Sequence, residues 1–137
     1  MGAIFRLADA VAATKVYLCG STETPPNPKI KKASINTWQW VEWEYAETAV
    51  LAISKIKAQR SKIQIVAIEQ NKSSIPLSKL KVEFPIAIVV GNESFGVSKE
   101  VLEITDAIVE LQMYGVNKSL NVMVCCGIVL YKILEQL

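Results

Sequence analysis

The apolar positions of this chain switch between helical and strand spacing, and the switches predict its elements. Ile4, Leu7, Ala8 and Val11 recur at helical intervals with Arg6 off their stripe, so the first thirteen residues read as a helix. Lys15 to Gly20 reads as a strand. Ser21 to Pro28 holds three prolines, which exclude regular structure and predict a loop. From Ser34 to Trp43 the pattern is ambiguous, with Trp38, Trp40 and Val41 alternating only weakly. Tyr45 to Lys57 reads as a helix with Tyr45, Ala49, Ala52, Ile53 and Ile56 on one face. Ile63 to Glu69 reads as a strand, and residues 71–82 as a polar connection. Ile86 to Val90 is an apolar, mostly β-branched run between Pro85 and Gly91, which predicts a strand buried on both faces. Ser98 is a plausible N-cap, with Glu100 in the first turn of a short helix. Asp106 to Met113 reads as a strand and residues 114–117 as a turn. Ser119 or its neighbour opens a long last helix whose Leu120, Val124, Gly127 or Ile128, Tyr131 and Leu134 are expected to face inward. The alternation predicts an α/β protein, a parallel sheet flanked by helices.

Two glycine-bearing loops follow strands in the last third of the chain: GNESFG from Gly91 and LQMYGVNKSL from Leu111. Open α/β sheets bind ligands at the C-terminal ends of their strands, and glycine lets the backbone approach a ligand closely. The dinucleotide fingerprint GxGxxG is not met, because GNESFG lacks the middle glycine.

Composition narrows the chemistry. At 137 residues and 51% hydrophobic, one domain with a real core is expected. No run of about 18 apolar residues is present, so no membrane span is expected, and no export signal is recognised near Met1. Cys19, Cys125 and Cys126 read as free thiols in a reducing cytoplasm. With no CxxC pair and no histidine, no metal site is expected and the commonest general base is missing. The net charge of +2 does not mark a nucleic-acid binder. Its distribution is more suggestive: Lys29, Lys31 and Lys32 cluster after the proline-rich turn, and Lys55, Lys57, Arg60 and Lys62 farther on. Either group is a solvated face or a set of phosphate contacts. Trp38, Trp40 and Trp43 are core, interface or base-stacking groups, with core or interface favoured.

Three stretches carry a family resemblance. GNESFG and LQMYGVNKSLNVMVCCGIVLY resemble the second and third motifs of the SpoU (TrmH-like) RNA ribose 2′-O-methyltransferases of the SPOUT class, which run roughly as strand-GNExxGL and I-P-M-x-G-x-x-x-SLNV-x-x-A. GAIFRLADA resembles the first, N-x-G-A-I-x-R-T-A-D-A. The motifs stand in family order and span nearly the whole chain. The family's first strand and the motif's asparagine would precede Gly2, so residues 1–137 are expected to form a single SpoU-type domain without them.

The resemblance implies a SPOUT-type fold, its parallel sheet flanked by helices and closed by a C-terminal trefoil knot. It implies S-adenosyl-L-methionine as cofactor, lined by Gly91, Leu111, Met113, Ser119 and Leu120, with Ile68 a weaker candidate. The implied reaction is methyl transfer to a ribose 2′-hydroxyl of tRNA or rRNA by a cytoplasmic homodimer. Arg6, Glu93, Ser119 and Asn121 would carry catalysis, and Arg6 with Lys29, Lys31 and Lys32 would hold RNA. Arg6 matches the family arginine proposed as base, but a guanidinium with pKa above about 12 is better suited to gripping a phosphate. Glu93 would hold Arg6 or position the ribose, or is a helix-flanking charge. Asn92 and Asn121 offer amide hydrogen bonds, and Ser119 orients substrate or caps the helix. The alternative function is a non-catalytic RNA- or cofactor-binding homologue.

Overall fold

The computed structural model describes every residue except Met1, Ser21, Glu23, Pro26, Ile35, Asn36, Glu93, Ser94 and Lys118. The chain divides into two units, Met1–Lys55 and Ile56–Leu137.

In the first unit, α1 (Gly2–Ala10) leads to β1 (Val16–Cys19), α2 (Pro28–Ser34), a 3₁₀ turn at Thr37–Gln39 and β2 (Trp43–Ala46). β1 and β2 pair in parallel, Val16 opposite Trp43. Phe5, Ala8, Val16, Leu18 and Val41 form the core, with Ile4, Trp38 and Trp43 packed against it. The buried positions of α1 are Gly2, Phe5 and Ala8, so the predicted Ile4–Leu7–Ala8–Val11 stripe is out of phase: Phe5 is fully buried while Leu7 and Val11 are half-exposed. A short helix with apolar residues on several sides leaves the choice of face to packing, and the largest side chain takes the interior.

Two elements were hidden in the sequence. α2 starts at Pro28, whose fixed φ suits a first helical position, and the Asn27 carboxamide accepts from Lys29 N–H at 2.9 Å as its cap. β2 occupies residues predicted to begin a helix. That helix, α3 (Ala49–Gln59), starts later, where Thr48 Oγ1 accepts from Leu51 N–H at 3.1 Å. Ala52 and Ile53 are its buried positions as expected, whereas Tyr45 lies on β2 and is exposed. Glu44 on β2 accepts from Lys15 Nζ at 2.9 Å and also pairs with Lys55. The Lys55 and Lys15 bonds hold its carboxyl below the usual carboxylate range, and the Glu44 bond raises Lys15 above the ordinary lysine value.

In the second unit, β3 (Gln64–Ile68), the two-residue β4 (Ile75–Pro76), β5 (Ile86–Val89) and β6 (Ala107–Glu110) form a four-stranded, all-parallel sheet in the order β4-β6-β3-β5. α4 (Lys99–Glu103) connects β5 to β6, capped by Ser98 Oγ accepting from Val101 N–H with Glu100 in the first turn, as expected. The sheet core is Val66, Leu80 and Val109. β5 is half-buried at all four positions rather than fully buried, because it is an outer strand of this sheet.

α5 (Val122–Leu134) corrects the second phase assignment. Cys126, Val129 and Ile133 face inward, while Leu120, Val124, Ile128 and Tyr131 are exposed by 42, 50, 39 and 51%. The helix is apolar nearly all round, so spacing alone could not tell which stripe is covered. The burial of Cys126 pushes its thiol up to about 11, chiefly by desolvation. Cys19 and Cys125 are also raised by burial.

The phase of α1 is testable by denaturation in urea. Phe5→Ala is expected to cost about 3–5 kcal/mol, and Leu7→Ala less than about 2 kcal/mol. Equal costs at the two positions would restore the predicted stripe.

Candidate active site

Because β3, β5 and β6 are parallel, the chain leaves all three at one edge of the second unit's sheet. The segments after them begin at Glu69, Val90 and Leu111. Glu69 ties the first of these to the second and to β6 itself. Its backbone N–H donates to Val109 O on β6 at 3.1 Å. Its carboxylate accepts from Val97 N–H in the loop after β5 at 2.7 Å and from Gln70 N–H at 3.1 Å. A charge-assisted bond to a backbone N–H is among the stronger neutral-pH contacts available to a loop.

The glycines of GNESFG are explained by this closure. Asn92 and Gly96 exchange backbone bonds, Gly96 N–H to Asn92 O at 2.8 Å and Asn92 N–H to Gly96 O at 3.2 Å. The Asn92 carboxamide oxygen also accepts from Phe95 N–H at 3.3 Å. A Cβ on Gly91 would collide with the backbone of Gly96 and Val97. Gly96 has φ +69°, and a Cβ there would collide with the Glu69 carboxylate. Glu93 lies outside the described residues.

The second loop is set by short-range bonds. Asn117 Oδ1 accepts from the Ser119 N–H at 3.1 Å and its hydroxyl at 3.2 Å. Asn121, rather than Ser119, caps α5: its Oδ1 accepts from Met123 N–H at 2.8 Å and Val124 N–H at 3.4 Å. Its carboxamide oxygen is committed to the helix, so a substrate contact falls to its NH₂. Leu111 and Leu120 help line a cavity of about 620 Å³, together with Leu77, Gln112, Tyr114 and Ile128 among others. The volume and the mixture of apolar walls with a few polar groups suit a small organic ligand. Gly91, Ile68, Met113 and Ser119 do not line it. Ile68 is the last residue of β3, next to Glu69, and Met113 is half-buried.

Arg6 lies in the first unit, exposed on α1. Lys29, Lys31 and Lys32 are exposed on α2. The second basic group is partly engaged within the fold: Lys55 pairs with Glu44, and Lys57 Nζ donates to Ile104 O at 3.3 Å. Glu69, which closes the glycine loop after β5, is a residue of this edge that sequence reasoning missed. Its only signal was a carboxylate placed where an apolar strand ends, at the edge where the glycine loops emerge.

Replacing Glu69 by Ala leaves the Val97 N–H without its acceptor. We expect a stability loss of about 1–3 kcal/mol, faster amide exchange at Val97, and largely retained protection in Glu69→Gln. Unchanged exchange at Val97 in Glu69→Ala would show that something else closes the loop.

Comparison with known proteins places these features. The model of the SpoU rRNA Methylase family matches residues 1–131. The tRNA (guanosine(18)-2′-O)-methyltransferase of Aquifex aeolicus is 35% identical over 140 residues, covering 98% of this chain and 62% of its own. The Borreliella burgdorferi protein of the same name is 34% identical over 111 residues, covering 81% of this chain and 49% of its own. This chain thus spans about half to three-fifths of the length of these relatives. Among solved structures, the A. aeolicus TrmH/SpoU tRNA modifying enzyme superimposes with TM-score 0.85 at 33% identity, over 98% of this chain and 67% of that one. The AdoMet-bound rRNA methyltransferase of Sinorhizobium meliloti gives 0.86 at 26% identity, over 99% and 51%. The glycine loops at one sheet edge, the helical first motif and the match across residues 1–131 agree, and the chain belongs to the SpoU rRNA methylase family.

Proposed function

We propose that this chain is an S-adenosyl-L-methionine-dependent methyltransferase acting on a ribose 2′-hydroxyl of tRNA or rRNA. The observation that carries this is the closing, by the Glu69 carboxylate at the end of β3, of the glycine loop that follows β5, at the end of a parallel sheet from which the segment after β6 also leaves. Relatives named as tRNA 2′-O-methyltransferases support it, as does the likeness to a structure described as AdoMet-bound.

Ile68, Gly91, Leu111, Met113, Ser119 and Leu120 would hold the cofactor, much of the contact through backbone groups that Glu69 and Asn117 keep in place. The residues present fit such a ligand: half-buried or exposed apolar side chains for an adenosine, and a loop whose close packing at Gly91 and Gly96 holds its backbone groups in fixed positions. When bound, the cofactor supplies an electrophilic methyl group on a sulfonium. The protein's task is to place the 2′-hydroxyl in line and ease loss of its proton. Arg6 grips the adjacent phosphate through its planar fork and favours the alkoxide form nearby. Asn121 presents its NH₂, Ser119 offers its hydroxyl lone pairs, and Glu93 is the motif's carboxylate in this scheme. Lys29, Lys31 and Lys32 add phosphate contacts.

Residues 1–137 form a single SpoU-type domain in this proposal, and its tail closes the family's trefoil knot. The likeness at TM-score 0.85 to a 33%-identical enzyme supports that topology. A homodimer with the active site shared across its interface is supported by the outward stripe Leu120, Val124, Ile128 and Tyr131, since an exposed contiguous apolar face marks an association surface. An RNA substrate and free cysteines suit the cytoplasm.

Calorimetry with S-adenosylhomocysteine, followed by methyl transfer to unfractionated tRNA, tests the enzyme assignment. The wild type is expected to bind and transfer. Arg6→Ala is expected to bind equally and to lose transfer by at least about 100-fold, the scale for an interaction made with the reacting group. Transfer retained in Arg6→Ala removes Arg6 from the mechanism. Binding without wild-type transfer to tRNA, and then to ribosomal RNA offered in its place, makes the chain a non-catalytic homologue. Val124→Glu should shift the chain from dimer to monomer in sedimentation velocity while its circular dichroism stays unchanged, and a variant that remains dimeric would place the interface elsewhere.

A further inference from the structure

The three tryptophans, indistinguishable by sequence, separate in the structure. Trp38 and Trp43 are half-buried and pack on the first unit's core. Trp40 is 62% exposed, yet it is held. Its indole Nε1 donates to Asp9 Oδ1 on α1 at 3.1 Å. Its backbone N–H donates to Thr37 O at 3.1 Å, the carbonyl that also accepts from buried Val41. An indole tied by its polar edge and open elsewhere presents an apolar face to solvent.

The helix that holds the indole, and the helix packed against that one, carry exposed cations. Asp9 lies three residues after Arg6 on α1, the spacing that places two side chains on neighbouring turns of one helix face, about 5–6 Å apart at Cβ. α2, with exposed Lys29, Lys31 and Lys32, packs against both α1 and the 3₁₀ turn that Trp40 follows. Of the nearby acids, Asp9 is engaged by the indole, and Glu42 lies 3.8 Å from Lys15. Gln39 and Glu42, on either side of Trp40 and the buried Val41, are exposed and polar. A fixed aromatic ring among cations is how proteins stack the unpaired bases of RNA while neutralising its backbone.

We propose that Trp40 is a stacking platform for an unpaired base of the RNA substrate, flanking the phosphate held by Arg6. This rests on the RNA methyltransferase proposal above. Asp9 is its positioning residue.

The test measures dissociation constants for unfractionated tRNA, at fixed and then varied salt, for wild type, Trp40→Ala, Trp40→Phe and Asp9→Ala. S-adenosylhomocysteine affinity and sedimentation serve as controls. Trp40→Ala is expected to weaken tRNA binding about 5- to 150-fold, the equivalent of about 1–3 kcal/mol for one stacked base. Trp40→Phe should retain most of the affinity, and Asp9→Ala should fall between. The slope of log affinity against log salt should stay unchanged in Trp40→Ala, whereas Lys32→Ala should lower it by about one charge. Cofactor-product binding and oligomeric state should not change. Wild-type tRNA affinity in Trp40→Ala overturns the stacking role alone. Dissociation of a dimer in that variant overturns it in favour of a protein contact. A wild-type chain that binds neither tRNA nor ribosomal RNA, the latter measured in the same way, removes the RNA proposal and this one together.

Discussion

The carboxylate of Glu69 is the contact on which the second unit's functional edge depends. β3 ends in a side chain that reaches Val97 N–H at 2.7 Å, while its own N–H stays paired to β6. A loop that meets its ligand mainly through backbone groups has few side chains with which to adjust. Its precision must come from whatever fixes the backbone. Glu69 does this, and it requires glycine at 96, because a side chain there would occupy the carboxylate's position. Gly91 is required for a related reason: the returning strand of the loop lies against it. The spacing of the two glycines is thus a consequence of one loop closing on one acid.

The first unit works by a different economy. Its net charge is spread unevenly, and its cations divide into two kinds. Lys15 and Lys55 are drawn to Glu44, which ties β1, β2 and α3 at the surface. Lys29, Lys31 and Lys32 stand exposed on a helix packed against the one that carries Arg6. A total charge near zero therefore coexists with a locally basic face, and electrostatic attraction over about a Debye length responds to the local one. Trp40, tied to Asp9 on the helix that carries Arg6, presents an exposed aromatic ring on the same unit; phosphate contacts alone carry no preference between paired and unpaired RNA, and a stacking ring would supply one.

α5 shows how a helix can serve two surfaces. Cys126, Val129 and Ile133 contribute to the interior, while Leu120, Val124, Ile128 and Tyr131 lie outward from the same stretch. Val124, Ile128 and Tyr131, at i, i+4 and i+7, form one stripe of α5, and Leu120 lies just before its cap Asn121. Leu120 and Ile128 also line the cavity beside Leu111, so the outward stripe and the ligand-sized space are contiguous. Association through this helix would be sensitive to what fills that space.

The chemistry-bearing motifs were legible in the residues: the GNESFG loop after an apolar run, the SLNV stretch before a long helix, Arg6 on an amphipathic first helix, and Ser98 as a cap. Each depends on local rules of strand spacing, glycine and capping that act within a few residues. What local rules could not choose was which face is covered. Phe5 displaced Leu7 from the core of α1, and Val129 displaced Val124 in α5, because both helices are apolar on more than one side and burial is settled by neighbours distant in sequence. β2 was missed because its alternation is short and merges into the following helix, and its parallel partner β1 lies more than twenty residues away. Glu69 was missed, and Trp40 could not be told from Trp38 and Trp43, for the same reason. A carboxylate at a strand end and a tryptophan in a turn acquire their roles only when Val97 and Asp9 are brought to them, and that is a property of the folded chain.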